Sequence, residues 1–263
     1  MRALVDIDLR AGGHEWLVER AGIYAERIGA TVDLVYFLGE GSEAPGHRRA
    51  LEELLALLPD ASRGVARIEQ EPPAEGLVGL SAEYTVLVVG SREPPALERL
   101  LHGPMATRVL RQAKCPVLVP RGEAAPRPMP RILLGVDVEG PEPTAVLRWA
   151  NLWAARLDGT VHAMYAAAAH RGEFSVVREE KQKKLQALLE RYVAAPHRGQ
   201  AVIRRGEPDE ALVEMSREYD LVLVGNRERE GLARIMLGTV AAQVVRRAAC
   251  DVLSLPTVTG TPP

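Results

Sequence analysis

The residues of this sequence that could bind a charged ligand lie in short glycine-flanked segments. In the second half, Gly225-Asn226-Arg227-Glu228 follows an apolar run, and Gly238-Thr239 opens a segment of helical pattern. Glycine lets the backbone approach an anion, and a threonine at a helix start places its hydroxyl beside free N–H groups at the positive end of the helix dipole. Asp137 ends an earlier apolar run, and the carboxyl ends of strands line the ligand crevice of a parallel sheet. The pattern indicates an anion site.

No catalytic constellation accompanies these segments. The six histidines are scattered without the paired spacing of a metal site, and neither Cys115 nor Cys250 has a second cysteine two residues away. The G-x-S-x-G, G-x-x-x-x-G-K-[ST] and G-x-G-x-x-G motifs are absent. The sequence therefore assigns no catalytic residue and no metal ligand.

Composition restricts the partners that we expect. The chain has 263 residues, 47% hydrophobic and 26% charged, with a net charge of -2, which predicts neither a nucleic-acid partner nor a membrane surface. No run of 18 apolar residues predicts a membrane span, and the first residues lack the apolar stretch of a signal peptide. Because the two cysteines are interpreted as buried thiols of a reducing compartment, we expect a cytoplasmic protein.

An internal repeat organises the chain. Residues 3–8 match residues 132–137 at an offset of 129, and residues 31–36 match residues 160–165 at the same offset. Between these apolar segments each half carries a helical pattern with one apolar stripe. The stripe consists of Leu17, Ala21, Tyr24 and Ile28 in the first half and of Val146, Ala150, Trp153 and Leu157 in the second.

Toward the end of each half the offset is 135, because residues 84–90 match residues 219–225. The second half therefore carries about six extra residues, which we place near the charged segment 178–192. Strands alternate with helices throughout, which predicts an α/β fold of two tandem doubly wound domains, each with a mostly parallel five-stranded sheet. We place the domains at residues 1–120 and 130–257, joined by a proline-rich linker.

Both halves resemble the universal stress protein family. Its nucleotide-binding members have an aspartate after strand 1 and, after strand 4, a loop of pattern G-x2-G-x9-G-[S/T] that surrounds the phosphates of ATP. Three of the four motif positions match in the second half. The resemblance implies ATP or AMP as ligand, with Mg²⁺ if the ligand is ATP. The nucleotide-binding residues that it implies are Asp137, Gly225, Asn226, Arg227, Gly238 and Thr239.

One position of the loop departs from the family pattern. Glu228 stands where the second glycine is expected, and its carboxylate brings negative charge toward a polyphosphate. Arg227, Arg229 and Arg234 offset part of this repulsion, since guanidinium groups bind phosphate well. The same charged loop is equally typical of a solvated surface, so both interpretations stay open.

The first half departs further. Gly90-Ser91-Arg92-Glu93 leads to Gly103-Pro104, so that Glu93 repeats the glutamate and Pro104 removes both the hydroxyl and an N–H group. Asp8 is retained, but a strand-end aspartate can equally cap a neighbouring helix or loop, and we favour that interpretation in this half. We expect this half to be a structural partner rather than a triphosphate site.

Three functions remain open. The first is an adenine-nucleotide-binding stress-response regulator that uses mainly the second half, and the second is a nucleotide-free protein-interaction module with decayed sites. Slow ATP hydrolysis ranks last because no water-activating group is evident. The resemblance also implies an adenine nucleotide alpha hydrolase-like fold and pairing of the two domains through their last strands, residues 117–119 and 252–254, as an intramolecular pseudo-dimer. It leaves a homodimer of two chains open.

Overall fold

The apolar runs of the sequence form the central strands of two units in a computed structural model. The units are Met1–Arg121, called unit 1, and Gly122–Pro263, called unit 2. The structure describes residues 1–10, 14–38, 45–90, 104–121, 125–139, 143–167, 174–225 and 239–256.

Unit 1 is a parallel sheet with helices between its strands. The sheet order is β3-β2-β1-β4-β5, and every neighbouring pair is parallel. Its described elements are β1 (Arg2–Asp6), α1 (His14–Ile28), β2 (Thr31–Phe37), α2 (Pro45–Leu55), β3 (Arg63–Glu69), α3 (Pro73–Leu80), β4 (Val86–Val88), α4 (Pro104–Gln112) and β5 (Val117–Val119).

Unit 2 repeats this architecture. Its strands lie in the order β10-β9-β6-β7-β8, and they too pair in parallel. Its described elements are β6 (Arg131–Gly135), α5 (Thr144–Leu157), β7 (Thr160–Ala167), α6 (Phe174–Tyr192), β8 (Arg198–Arg205), α7 (Pro208–Met215), β9 (Leu221–Gly225), α8 (Thr239–Arg247) and β10 (Asp251–Leu255). The predicted α/β class with two tandem, mostly parallel sheets is confirmed.

Burial explains why these segments are strands and helices. The middle residues of β1 and β6 are buried without alternation, as expected for central strands covered on both faces. The predicted stripe of α1 is buried along its whole length. On α5 the stripe is shifted slightly, since Leu147 is buried whereas Val146 is only partly so. Each helix thus covers the sheet with one apolar face.

The direction of the connections changes beside the first strand of each unit. From β1 the chain moves outward to β2 and β3, and it then returns to the other side of β1 to add β4 and β5. In unit 2 the same change falls between β6 and β9. Open α/β sheets bind ligands at the carboxyl ends of the strands that flank such a point.

The first residues of unit 2 are fixed to its sheet by Asp220. One carboxylate oxygen accepts a hydrogen bond from Nε of Arg127 at 3.0 Å, and the other accepts from the backbone N–H of Arg131 at 2.8 Å. The Asp220 side chain is only 9% exposed, whereas the Arg127 side chain is 55% exposed. The end of the predicted linker therefore belongs to the surface of unit 2.

A buried polar cluster stabilises the amino-terminal edge of unit 1. The carboxylate of Asp33 accepts hydrogen bonds from Arg2 Nη2 at 2.5 Å, from the Tyr84 hydroxyl at 2.8 Å and from the Val65 backbone N–H at 2.9 Å. The Arg2 guanidinium also lies 4.5 Å from the centroid of the Tyr84 ring. Asp33 is 2% exposed, so these donors replace the water that it has lost.

Unit 2 places a histidine at the position of Asp33. Nδ1 of His162 accepts a long hydrogen bond, 3.4 Å, from the Gln200 backbone N–H, as Asp33 does from Val65. The His162 ring meets the Tyr219 ring edge-on at 5.5 Å, and Arg131 lies 4.7 Å from the centroid of the Tyr219 ring. Burial, with the charge of Arg131, lowers the pKa of His162. The imidazole is therefore held in its neutral form.

Candidate functional site

The candidate site lies at the carboxyl edge of unit 2. Gly225 is the last residue of β9, and Asp137 lies two residues beyond the end of β6. Because α8 returns antiparallel to the strands, it begins at this same edge, with Thr239 as its first residue. Asn226, Arg227, Gly238 and the side chain of Thr239 lie outside the described residues. The structure thus brings Asp137, Gly225 and the start of α8 to one edge.

Asp137 stabilises the turn that it begins. Its Oδ1 accepts a hydrogen bond from the Glu139 backbone N–H at 2.9 Å, while the side chain stays exposed to solvent. Asp8 does the same in unit 1, where its Oδ1 accepts from the backbone N–H and from Nε of Arg10 at 3.2 and 2.9 Å. Both strand-end aspartates therefore have the turn-capping role that short acidic side chains favour.

Two lysines of α6 reach the same edge, and the sequence analysis did not assign them to the site. The Lys184 ammonium donates to the carbonyl of Val138, and the Lys181 ammonium lies 3.5 Å from Glu139 and 3.3 Å from Glu180. Three of the four lysines in the chain cluster at positions 181–184, next to the predicted insertion. That lysine cluster is the feature of the sequence by which these two residues could have been found. With 19 residues, α6 is also longer than α2 with 11.

Glu139 lies near the end of β7, where it interacts with Tyr165 and Lys181. The Tyr165 hydroxyl bonds to Glu139, and burial, together with that carboxylate, raises the pKa of Tyr165 to about 12. The phenol therefore stays protonated and can only donate to an anionic partner. Positive charge from Lys181 and Lys184 thus balances the carboxylates of Asp137 and Glu139 at this edge.

Unit 1 carries a carboxylate at one position of the matching edge where unit 2 has a glycine. Asp6, the last residue of β1, is partly buried, and it occupies the position of Gly135 in unit 2. Burial, with a smaller contribution from the charge of Asp8, raises the pKa of Asp6 to about 7. At the start of α4, Pro104 provides no backbone N–H. This edge is less suited to an anion than the edge of unit 2.

The two cysteines are not suited to redox chemistry. Cys115 and Cys250 are buried free thiols, and burial raises the pKa of each to about 12, so neither is a reactive thiolate. Within the described ranges no three His, Cys, Asp or Glu side chains converge as a metal site would require. His162 accepts a hydrogen bond in the fold, whereas His102 lies outside the described residues.

Comparison with known proteins decides the family. The universal stress protein family model matches this chain twice, at residues 1–121 and 129–256. The chain belongs to the universal stress protein family. A universal stress protein of Mycobacterium tuberculosis is 29% identical over 205 residues, which cover 69% of this chain and 65% of that protein. The chain therefore spans about two thirds of the length of this curated relative.

Solved structures agree on the universal stress protein fold. The structure of a universal stress protein from Archaeoglobus fulgidus superposes with a TM-score of 0.71 at 16% identity, covering 97% of this chain and 98% of that one. A protein of unknown function from Pseudomonas aeruginosa gives a TM-score of 0.69 at 20% identity, covering 97% and 92% of the two chains. At such identities the likeness concerns the fold alone. In the ranges that the structure describes, no helix is both long and apolar enough to cross a membrane.

Proposed function

We propose that unit 2 binds an adenine nucleotide, ATP with Mg²⁺ or AMP, and that the protein is a nucleotide-responsive stress regulator. One observation carries the proposal. Asp137 and Gly225 flank the point of a universal stress protein sheet where the connections change direction, and α8 begins at Thr239 beside them. That is where an open α/β sheet takes its ligand.

Each residue would contribute by its own chemistry. Gly225 and Gly238 allow close approach of the backbone, and Thr239 offers a hydroxyl together with the N–H groups of a helix start. Asn226 and Arg227 add polar and cationic contacts, and Asp137 is suited to a sugar hydroxyl or to Mg²⁺. Lys181 and Lys184 supply positive charge at this edge, which offsets the carboxylates of Asp137 and Glu139.

The residues of unit 1 are less suited to nucleotide binding. Pro104 removes an N–H group at the start of α4, and Glu93 repeats the glutamate substitution of the loop. Asp6 adds a carboxylate where unit 2 has Gly135. We infer that unit 1 serves as the structural partner of unit 2.

A second candidate function is a nucleotide-free interaction module. Glu93, Glu228 and Pro104 favour it, because each substitution weakens the family motif. ATP hydrolysis ranks below both, since it would need a group that activates water. Glu139, a carboxylate at the described edge, is already engaged by Lys181 and Tyr165.

The arrangement and location of the chain form part of the same proposal. By analogy with the family, β5 and β10 are the strands through which the two units would pair within one chain, and two chains would be able to form a homodimer. The buried thiols of Cys115 and Cys250 suit a reducing compartment and support a cytoplasmic location.

The test uses the two matching aspartates as variant and control. In a titration with Mg²⁺ and ATP, we expect Asp137→Asn to weaken binding roughly tenfold, which is the loss of about one charge-assisted contact. Asp8→Asn, the same change at the matching position of unit 1, should leave the affinity unaltered. Equal weakening by both substitutions would assign nucleotide to both units, and an affinity unchanged in both would exclude Asp137 from the site.

A further inference from the structure

The two units differ at one position of their first strand. In unit 2 this position is Gly135, where an added Cβ would lie 3.0 Å from Cδ1 of Leu212 on α7. The corresponding residue of α3 in unit 1 is Leu77, which is fully buried. By the match of the two units, Asp6 carries a carboxylate at a strand position that is left without a side chain in unit 2.

The described residues around Asp6 provide no compensating charge. Its register partner on β2 is Val35, which is fully buried, and Val88 of β4 pairs with the preceding residue, Val5. Within the described residues no donor forms a hydrogen bond or an ion pair with Asp6. Among the described residues, Asp8 is the ionisable side chain whose charge acts on Asp6, and Arg10 is paired with Asp8 at 2.9 Å. A proton is the simplest means of neutralising this carboxylate.

The units differ again at the middle of their second strand. Asp33 accepts its three hydrogen bonds as a carboxylate, whereas His162 must be neutral at Nδ1 to accept from Gln200. Among the described residues, the groups that face His162 are Arg131 of β6, Tyr219 before β9, and Gly199 and Gln200 of β8. None of them is a carboxylate that would stabilise an imidazolium. A second proton on His162 would break the bond to Gln200 and would face Arg131.

We propose that acidification acts on the two units in opposite directions, because Asp6 takes up a proton and stabilises unit 1 whereas His162 takes up a proton and destabilises unit 2. Two copies of one fold in one chain thus respond with opposite sign. In the cell, a fall in pH would loosen the unit that carries the candidate nucleotide site and tighten its partner. The proposal does not depend on nucleotide binding.

The pH windows follow from linkage. The pKa of Asp6 is higher in the folded protein, about 7, than its ordinary value of 3.8, so its contribution to stability is complete below pH 3.8 and is lost as the pH rises through 7. The pKa of His162 is lower in the folded protein than its ordinary value of 6.5, so its contribution is complete above pH 6.5 and is lost as the pH falls. The two effects oppose each other as the pH falls below 6.5.

Amide hydrogen exchange of the full chain, read by mass spectrometry on separate peptides of each unit, tests the proposal. Wild type, Asp6→Asn and His162→Asp are compared at pH 5 and 8, and the ratio of variant to wild type at one pH removes the intrinsic pH dependence of exchange. His162→Asp introduces the residue of unit 1, and Arg131 is available to pair with it. Each substitution also serves as the control for the other unit.

We expect Asp6→Asn to slow exchange in β1 and β2 more at pH 8 than at pH 5, by a further factor of roughly ten or more, because the cost of ionised Asp6 is larger at pH 8. His162→Asp should slow exchange in β7 and β8 at pH 5 and change it little at pH 8, and His162→Gln replaces it if that variant does not fold. The proposal would be overturned if the ratio of variant to wild-type exchange rates in the affected unit were equal at the two pH values. It would also be overturned if this ratio changed with pH in the same direction in both units.

Discussion

Gly64→Ala is expected to destabilise unit 1 by about 3–5 kcal/mol, because β3 approaches β2 too closely at this point for any side chain. A Cβ at Gly64 would lie 2.0 Å from Asp33 Oδ1 and 2.6 Å from the carbonyl oxygen of Val32. Both are held in place, the first by its hydrogen bonds and the second by the strand. To make room, β3 must move away, and the 2.9 Å bond from the Val65 N–H to Asp33 would be lost. Denaturant unfolding measures the loss.

Alanine substitutions at two other glycines serve as comparisons for Gly64→Ala. Gly199→Ala should cost somewhat less, because its Cβ would lie 2.7 Å from the Val161 carbonyl oxygen and 2.9 Å from Cδ2 of His162. Gly79, exposed on α3, has no atom within 4 Å of an added Cβ, so Gly79→Ala should raise the free energy of unfolding by about 0.5–1 kcal/mol. Equal stability of Gly64→Ala and Gly79→Ala would contradict the close approach.

Asp33→Ala is expected to have the second large effect and to lower the free energy of unfolding by about 3 kcal/mol. The substitution leaves the Val65 N–H and the Tyr84 hydroxyl without their acceptor inside the unit. The Arg2 side chain is 44% exposed, so water takes over most of what Arg2 loses, and the ion pair adds little to the total. Denaturant unfolding measures this loss as well, and the unfolding transition is followed in peptides of unit 1.

A graded series separates the hydrogen bonds of Asp33 from its charge. Asp33→Asn keeps an acceptor for Val65 or Tyr84 and removes the negative charge, so a loss of only about 1 kcal/mol is expected. The ion pair with Arg2 would dominate if Asp33→Asn were as damaging as Asp33→Ala. The cluster would be a surface feature of no consequence if both variants unfolded like wild type.

The fold could be predicted from the sequence because the repeat reports it twice. Apolar segments matching at offsets of 129 and 135 indicated the strands, and the change of offset indicated where the second half is longer. The structure places the long helix α6 in that region, starting at Phe174, four residues before the charged segment that was noted. Fold prediction needed only periodicity and order, which are local properties of the chain.

The polar contacts could not be predicted in the same way. Asp33 meets Tyr84 across 51 residues of sequence and Arg2 across 31, and no periodicity relates such positions. The difference between Asp6 and Gly135 is visible when the halves are aligned, but its meaning depends on the apolar helix that covers the position. Lys181 and Lys184 joined the candidate site only once the length and direction of α6 were known.

Of the predicted nucleotide residues, the structure describes the strand ends better than the loop. Asp137 and Gly225 lie at the predicted edge, and α8 begins at Thr239. Asn226, Arg227 and Gly238 stay predictions, since they fall outside the described ranges. Nucleotide binding by unit 2 is proposed to depend on the loop itself, so substitutions within the loop provide the sharpest test.

Nucleotide binding by unit 2 is tested by isothermal titration of the full chain with Mg²⁺ and ATP. The titration compares wild type with Gly238→Asp and Glu228→Gly. We predict about one nucleotide per chain in wild type, loss of binding in Gly238→Asp, where a carboxylate would replace close backbone contact, and tighter binding in Glu228→Gly, which restores the family pattern. No heat in wild type, with binding only in Glu228→Gly, would contradict the account and identify a protein that acts through its surfaces.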